Sequence, residues 1–125
     1  MNAKTFEDLE VWQVSRGLVK EVYEVTGRGA FRQDFALRDQ VRRAIISVNS
    51  NIAEGFDRSS NKEFAHFLSM AKASASEVRS QLYLAADLTY LDASVSNQLN
   101  HKLLRLSRQL SALITYLKQH PRTQR

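Results

Sequence analysis

The stretch from Leu37 to Arg58, LRDQVRRAIISVNSNIAEGFDR, decides the fold. Its apolar residues recur at steps of four, three and four, which places them on one face of a helix. They are Val41, Ile45, Val48 and Ile52. Gly55 is expected to end this helix. Outside the apolar face lie Arg42, Arg43, Glu54 and Ile46. Because Ile46 is apolar and points away from the core side, the helix is predicted to contact a second partner.

Length and composition indicate one domain, residues 1–125, that buries about two-thirds of its unfolded surface. The chain has no cysteine, which excludes disulfides, thiolate nucleophiles and cysteine-ligated zinc. Its first residues, MNAKTFEDLE, carry acids where a signal peptide needs an apolar segment. No apolar run approaches the length of a membrane span. We therefore expect a soluble, cytoplasmic protein with no membrane contact.

The charge is basic and unevenly placed. The formal net charge is +5, the sequence pI is near 9.8, and no acid follows Asp92. The basic residues of that last quarter are Lys102, Arg105, Arg108, Lys118, Arg122 and Arg125. Such an excess favours a polyanionic partner such as RNA. The alternative is a solvated helix face followed by a basic tail, residues 120–125.

Four long helices are predicted, at about residues 6–26, 35–54, 61–90 and 93–119. Thr5 is a candidate N-cap for the first, and residues 27–34 form a predicted loop. The third begins at a capping-box spacing, Ser60 to Glu63. Apolar residues in the third and fourth helices repeat at steps of four and three, which is typical of helices packed side by side. Short connections then favour an all-α, antiparallel, up-down-up-down four-helix bundle.

Catalytic and metal-binding patterns are weak. Glu63 and His66 give one Glu-x-x-His, whereas a di-iron bundle needs that motif twice. Near the end of the second helix, Glu54 and Asn51 have no histidine close in sequence to complete an acid-base pair. A structural role is expected instead, with Glu54 pairing with an arginine of this or an adjoining subunit and Asn51 bonding the turn backbone. The sequence predicts no enzyme, no cofactor and no metal.

The strongest functional candidate is a basic stripe on the fourth helix. His101, Arg105 and Arg108 are spaced four and three, so they share the face opposite the leucines. Such a stripe can follow phosphates. Tyr116 lies near its edge without extending it into a stacking platform. Arg42 and Arg43 on the second helix are further candidates for nucleic-acid binding. With Arg38 they form a second cluster, whose alternative role is pairing with nearby acids such as Asp39 or Glu54.

Several motifs resemble the four-helix-bundle proteins encoded in intervening sequences of bacterial 23S ribosomal RNA genes. They are Phe6-x-x-Leu9-x-x-Trp12, Gln40-Val41-Arg42-Arg43-Ala44, Asn51-Ile52-Ala53-Glu54-Gly55 and Lys62-Glu63-Phe64. The resemblance covers nearly the whole chain. One departure is Asn49, which occupies a position where that family usually has proline. Since an in-helix proline bends a helix, the second helix is expected to be straighter here.

The resemblance implies a ring-like homopentamer in a family without established enzymatic activity. The chain is similar, too, to the accessory protein of diversity-generating retroelements, which works with a reverse transcriptase and nucleic acid. We therefore expect a homo-oligomer that binds RNA or a ribonucleoprotein, with Ile46 and Glu54 at the subunit interface. The alternative is a structural or protein-interaction scaffold that binds no nucleic acid.

Overall fold

The computed structural model describes residues 2–121. A 3-10 turn spans Phe6–Asp8, and the α-helices are α1 (Glu10–Thr26), α2 (Gly29–Gln33), α3 (Phe35–Phe56), α4 (Asn61–Asp87) and α5 (Ala93–Gln119). No β-strand occurs within residues 2–121. The predicted all-α class is confirmed, with the four long helices α1, α3, α4 and α5 as its frame.

The long helices form a closed bundle in which α1 packs against α3 and α5, and α4 packs against the same two helices. Hydrogen bonds at both ends of the α4–α5 pair show its direction. Ser96 Oγ, near the start of α5, donates to the Leu82 carbonyl near the end of α4, at 3.4 Å. Asn61 Nδ2, in the first residue of α4, donates to the His120 carbonyl just after α5, at 2.6 Å. The two helices are therefore antiparallel.

Helices α1 and α3 are also antiparallel, and polar side chains join them. Asn49 Nδ2 donates to Ser15 Oγ at 2.9 Å, and Arg42 Nε donates to Thr26 Oγ1 at 2.8 Å. Arg42, early in α3, thus contacts the end of α1, and Asn49, later in α3, contacts the first half of α1. Ser15 and Thr26 are both fully buried. Asn49, where the resemblance implies a proline, therefore makes an interhelical bond that proline lacks the amide to form.

The core is aliphatic on every long helix, with few aromatic rings. Its fully buried large side chains include Leu18, Val22, Phe31, Ile45, Ile52, Phe64, Leu68, Leu82, Leu103, Leu106 and Leu110. On α4 the small residues Ala71, Ala75 and Ala85 are also inaccessible to solvent. Small side chains at these positions let neighbouring helices approach closely. The repeat read from the sequence therefore corresponds to the buried face.

Several element bounds differ from the sequence-based expectation. The first helix begins at Glu10, because Phe6–Asp8 form a separate 3-10 turn in which the Asp8 carboxylate accepts from the backbone N–H groups of Lys4 and Thr5. The predicted loop contains α2, whose Phe31 is fully buried and lies 5.4 Å from Tyr90, ring centre to ring centre. Helix formation there follows from burying that ring.

The end of α4 is another difference, since the helix stops at Asp87 rather than near Tyr90. Thr89 adopts a left-handed conformation with φ of 62°. The backbone N–H of Tyr90 donates to the Ala85 carbonyl at 2.9 Å, and that of Thr89 to the Ala86 carbonyl at 3.0 Å. This bonding is the Schellman termination, which normally uses glycine at the left-handed position. Threonine there carries no sequence signal for a helix end.

Candidate nucleic-acid interface

The predicted stripe lies on the outer face of α5. His101, Arg105 and Arg108 are all exposed, whereas the leucines of the opposite face are buried. Helix α5 contains no aspartate or glutamate. The structure therefore brings these three side chains together on one solvent-facing surface, which we call the α5 stripe. Its charge is not compensated from within its own helix.

Acids from α1 do reach one edge of the α5 stripe. Lys102 Nζ lies 2.6 Å from Glu21 Oε1, and Gln109 Nε2 donates to Glu10 Oε1 at 3.4 Å. A groove of about 310 Å³ between α1 and α5 is lined by both glutamates and by Arg105, but not by His101 or Arg108. The sequence interpretation considered only acids on the fourth helix. The structure corrects it, because α1 neutralises Lys102 and places carboxylates beside Arg105.

An aromatic pair lies at the far end of α5. The rings of Tyr116 and His120 stack with centres 4.2 Å apart and planes inclined by 24°, and both residues are exposed. The His120 Nδ1 lies 2.8 Å from the Tyr116 carbonyl oxygen, which fixes the imidazole. The sequence interpretation placed His120 in the tail and expected no stacking platform at Tyr116. Their i,i+4 spacing was the signal that identifies the stack.

Arg42 has an internal role that the sequence did not show. Besides its bond to Thr26, its guanidinium lies 4.4 Å from the centre of the Tyr23 ring, and Nη2 donates to the Tyr23 carbonyl at 3.5 Å. Arg42 therefore ties α3 to α1. The neighbouring Arg38 pairs with Asp39 at 2.9 Å, as the alternative reading of this cluster anticipated. Neither guanidinium is free to follow a phosphate chain.

Arg43 is exposed on the outer side of α3, as are Ile46 and Glu54. Ile46 retains 42% of its accessible surface. Within residues 2–121, neither Arg43 nor Glu54 makes a hydrogen bond or ion pair through its side chain, so no arginine of the described residues pairs with Glu54. Helices α3 and α5 lie on opposite sides of the bundle. Arg43 therefore does not extend the α5 stripe.

The Asn51-Ile52-Ala53-Glu54-Gly55 motif is mainly structural. Ile52 is fully buried, and Asn51 Nδ2 donates to the Ser47 carbonyl and to Ser47 Oγ at 2.9 and 3.1 Å. The expectation that Asn51 bonds the turn backbone is therefore wrong. Gly55 does not end the helix either, since α3 continues to Phe56. Instead, a Cβ at Gly55 would lie 2.7 Å from the Phe67 Cβ. The glycine permits close contact between α3 and α4.

Groups suited to catalysis are not clustered in the described part of the chain. No set of three or more histidine, aspartate or glutamate side chains within residues 2–121 lies close enough to hold a metal ion. Glu63 and His66 are both exposed at the start of α4. Asp34 and Tyr90 have shifted pKa values because of hydrogen bonds that hold the fold together. The Leu37 backbone N–H, and to a smaller extent the Tyr90 hydroxyl, lower the pKa of Asp34, and the same Asp34–Tyr90 bond raises the pKa of Tyr90.

The described helices include none with an apolar stretch able to cross a membrane. The fold and the surface charge define a class of protein, the small four-helix bundles with one cationic helix face. They do not specify a chemical reaction. The comparisons then place the chain within that class. A family model described as 23S rRNA-intervening sequence protein matches residues 7–112, and the chain belongs to that family.

Among solved structures, the fold is similar to a protein of unknown function from the S23 ribosomal protein family of Bacteroides thetaiotaomicron. The TM-score is 0.76 at 20% sequence identity, and the match covers 83% of this chain and 97% of that chain. At this identity the likeness concerns the fold alone. A search of curated proteins finds no match. Neither the family description nor the similar structure names an enzymatic activity.

Proposed function

We propose that this protein is a non-enzymatic, cytoplasmic bundle that assembles into a ring and binds RNA or a ribonucleoprotein through the α5 stripe. The observation that carries the proposal is the exposure of His101, Arg105 and Arg108 on a helix without acids. The family is named after an insertion in ribosomal RNA, which supports an RNA partner. The Tyr116–His120 stack supports it too, because nucleic-acid bases stack on exposed aromatic rings.

Assembly is the second part of the proposal. Ile46 and Glu54 on α3 form the proposed subunit contact, and the family resemblance favours a homopentamer. A ring repeats the α5 stripe in every subunit, so one RNA can touch several stripes at once. Linked contacts of this kind raise an apparent affinity by about 10²- to 10⁴-fold over a single one. A few cations in each subunit are then sufficient for the ring to bind RNA.

Salt-dependent binding of single-stranded RNA tests the proposal. The Arg105→Gln, Arg108→Gln variant removes two phosphate contacts from each subunit that touches the RNA, so the slope of log affinity against log salt becomes shallower by about 1.4 for every subunit engaged. The control is Lys20→Gln with Arg32→Gln, which changes the net charge equally at exposed sites on α1 and α2. The control is expected to keep the wild-type slope. Absence of binding to the wild-type ring at low salt, or equal slopes in both variants, contradicts the proposal.

A scaffold without nucleic-acid binding is the second candidate, and the Lys102–Glu21 pair favours it because α1 partly neutralises α5. In that case, reversing the charge of both Arg105 and Arg108 to glutamate leaves partner binding intact. Ile46→Asp breaks assembly under either proposal. Only the variant of Arg105 and Arg108 therefore distinguishes the two candidate functions.

A further inference from the structure

An apolar groove lies at the end of the bundle where α3 begins and α4 ends. Its volume is about 460 Å³, and its lining residues are Asp34, Ala36, Leu37, Gln40, Leu84, Asp87 and Leu88. Leu84 and Leu88 each expose 51% of their surface, and the nearby Phe35 exposes 61%. Large apolar side chains gathered in one exposed groove indicate a contact surface. We call this surface the α3–α4 groove.

The rim of the α3–α4 groove is acidic. Asp34 stays ionised over a wide pH range, because the Leu37 backbone N–H and the Tyr90 hydroxyl lower its pKa. Asp87 is exposed and makes no ion pair within residues 2–121. A ligand for this groove is therefore apolar with a cation beside it.

The chain carries such a feature on its own surface. Ile46 is exposed on the outer side of α3, and Arg43 is exposed one turn earlier without an ion pair in the described residues. Ile46 cannot enter its own groove, because Ala36 and Ile46 belong to one continuous helix and are separated by about 15 Å along its axis. Only another copy can bring the two surfaces together.

We propose that Ile46 of one copy inserts into the α3–α4 groove of the next, where Arg43 pairs with Asp87. The proposal rests on the oligomeric assembly proposed above and names the two faces that meet. Because these faces differ, the contact is head-to-tail, and repeated contacts of this type close into a ring or continue as a filament. Opposite charges beside an apolar contact also fix its register.

A charge swap tests the pairing. Arg43→Asp places two acids at the contact, and Asp87→Arg places two bases there, so each single variant is expected to raise the subunit dissociation constant by about tenfold or more. The combined variant restores opposite charges and returns the constant to within about threefold of wild type. Sedimentation over a dilution series measures the constants. The matched control is Arg32→Asp, which reverses an exposed charge on α2 and leaves assembly unchanged.

Each remaining outcome is informative. If Ile46→Asp disrupts assembly but the single charge variants do not, or if the combined variant stays dissociated, the Arg43–Asp87 pairing is wrong while the assembly stands. A wild-type chain that remains monomeric at every concentration overturns both the pairing and the proposed ring. Helical content by circular dichroism shows that each variant is folded.

Discussion

A single missing side chain determines how α3 and α4 meet. At Gly55 an added Cβ would lie 3.0 Å from the Phe64 Cδ1 and 2.7 Å from the Phe67 Cβ, and both phenylalanines belong to α4. Real Cβ atoms do not approach a neighbour so closely, so the helices would have to separate. The rings of Phe56 and Phe64 pack edge-to-face in the same region, with centres 5.7 Å apart. Gly55 therefore serves packing rather than helix termination.

Gly55→Ala is expected to destabilise the protein by about 1–3 kcal/mol, because the new methyl group overpacks the α3–α4 contact. Chemical denaturation measures the free energy of unfolding. Gly17→Ala is the matched control, since Gly17 is exposed in the middle of α1 and its Cβ would meet no atom within 4 Å. Alanine favours a helix over glycine by about 1 kcal/mol, so this control stabilises. Equal effects of both substitutions would contradict the packing role.

At the scale of the elements, Asp34 connects three parts of the bundle. Its Oδ1 accepts from the Leu37 backbone N–H at 3.1 Å, which caps α3, and its Oδ2 accepts from the Tyr90 hydroxyl at 2.9 Å. Tyr90 in turn packs against Phe31 of α2. One carboxylate thus holds the start of α3, the short helix and the α4–α5 connection in register.

Asp34→Asn tests this connection through pH. The folded pKa of Asp34 is lowered, so the carboxylate stabilises the fold above the ordinary aspartate pKa near 3.9, and that stabilisation is lost as pH falls through the folded pKa. Asparagine still caps a helix, so the variant loses mainly the charge. The gap in melting temperature between wild type and variant is expected to be widest near neutral pH and to close in acid. A gap in melting temperature that does not change with pH would contradict this role of the Asp34 carboxylate.

The sequence predicted the elements that depend on periodicity and missed those that depend on neighbours. The core faces of α3, α4 and α5 follow from apolar spacing, although near the end of α5 Ile114 is buried and the preceding Leu113 is only partly buried. The left-handed Thr89 and the buried Phe31 had no local signal. They arise from tertiary packing, which a single sequence does not contain.

The candidate site shows the same division. Helical spacing placed His101, Arg105 and Arg108 on one exposed face, but the acids beside Arg105 come from α1, far away in sequence. Arg42 looked like a surface cation, yet its partner Thr26 lies on another helix. The α5 stripe can therefore be predicted from helical spacing, whereas the acids along its edge can be located only in the folded structure.

At the scale of the whole molecule, charge and apolar surface are separated. The α5 stripe lies on the opposite side of the bundle from α3, which carries Ile46 and Arg43. A subunit can therefore contact its neighbours through the α3–α4 side while α5 remains accessible. This separation links the two proposals. Each α5 stripe carries few charges, so RNA binding depends on assembly to bring several stripes together.

Ile46→Asp is therefore expected to weaken RNA binding without touching the α5 stripe. The buried carboxylate opposes assembly, and a monomer retains only one set of phosphate contacts, so apparent affinity falls by about 10²-fold or more. The salt slope also becomes shallower, because fewer phosphates are neutralised per RNA. Ser59→Asp, an equal charge change at an exposed turn between α3 and α4, is the control and keeps both assembly and affinity. A monomeric Ile46→Asp variant that binds RNA as tightly as the ring would show that one subunit is sufficient for binding.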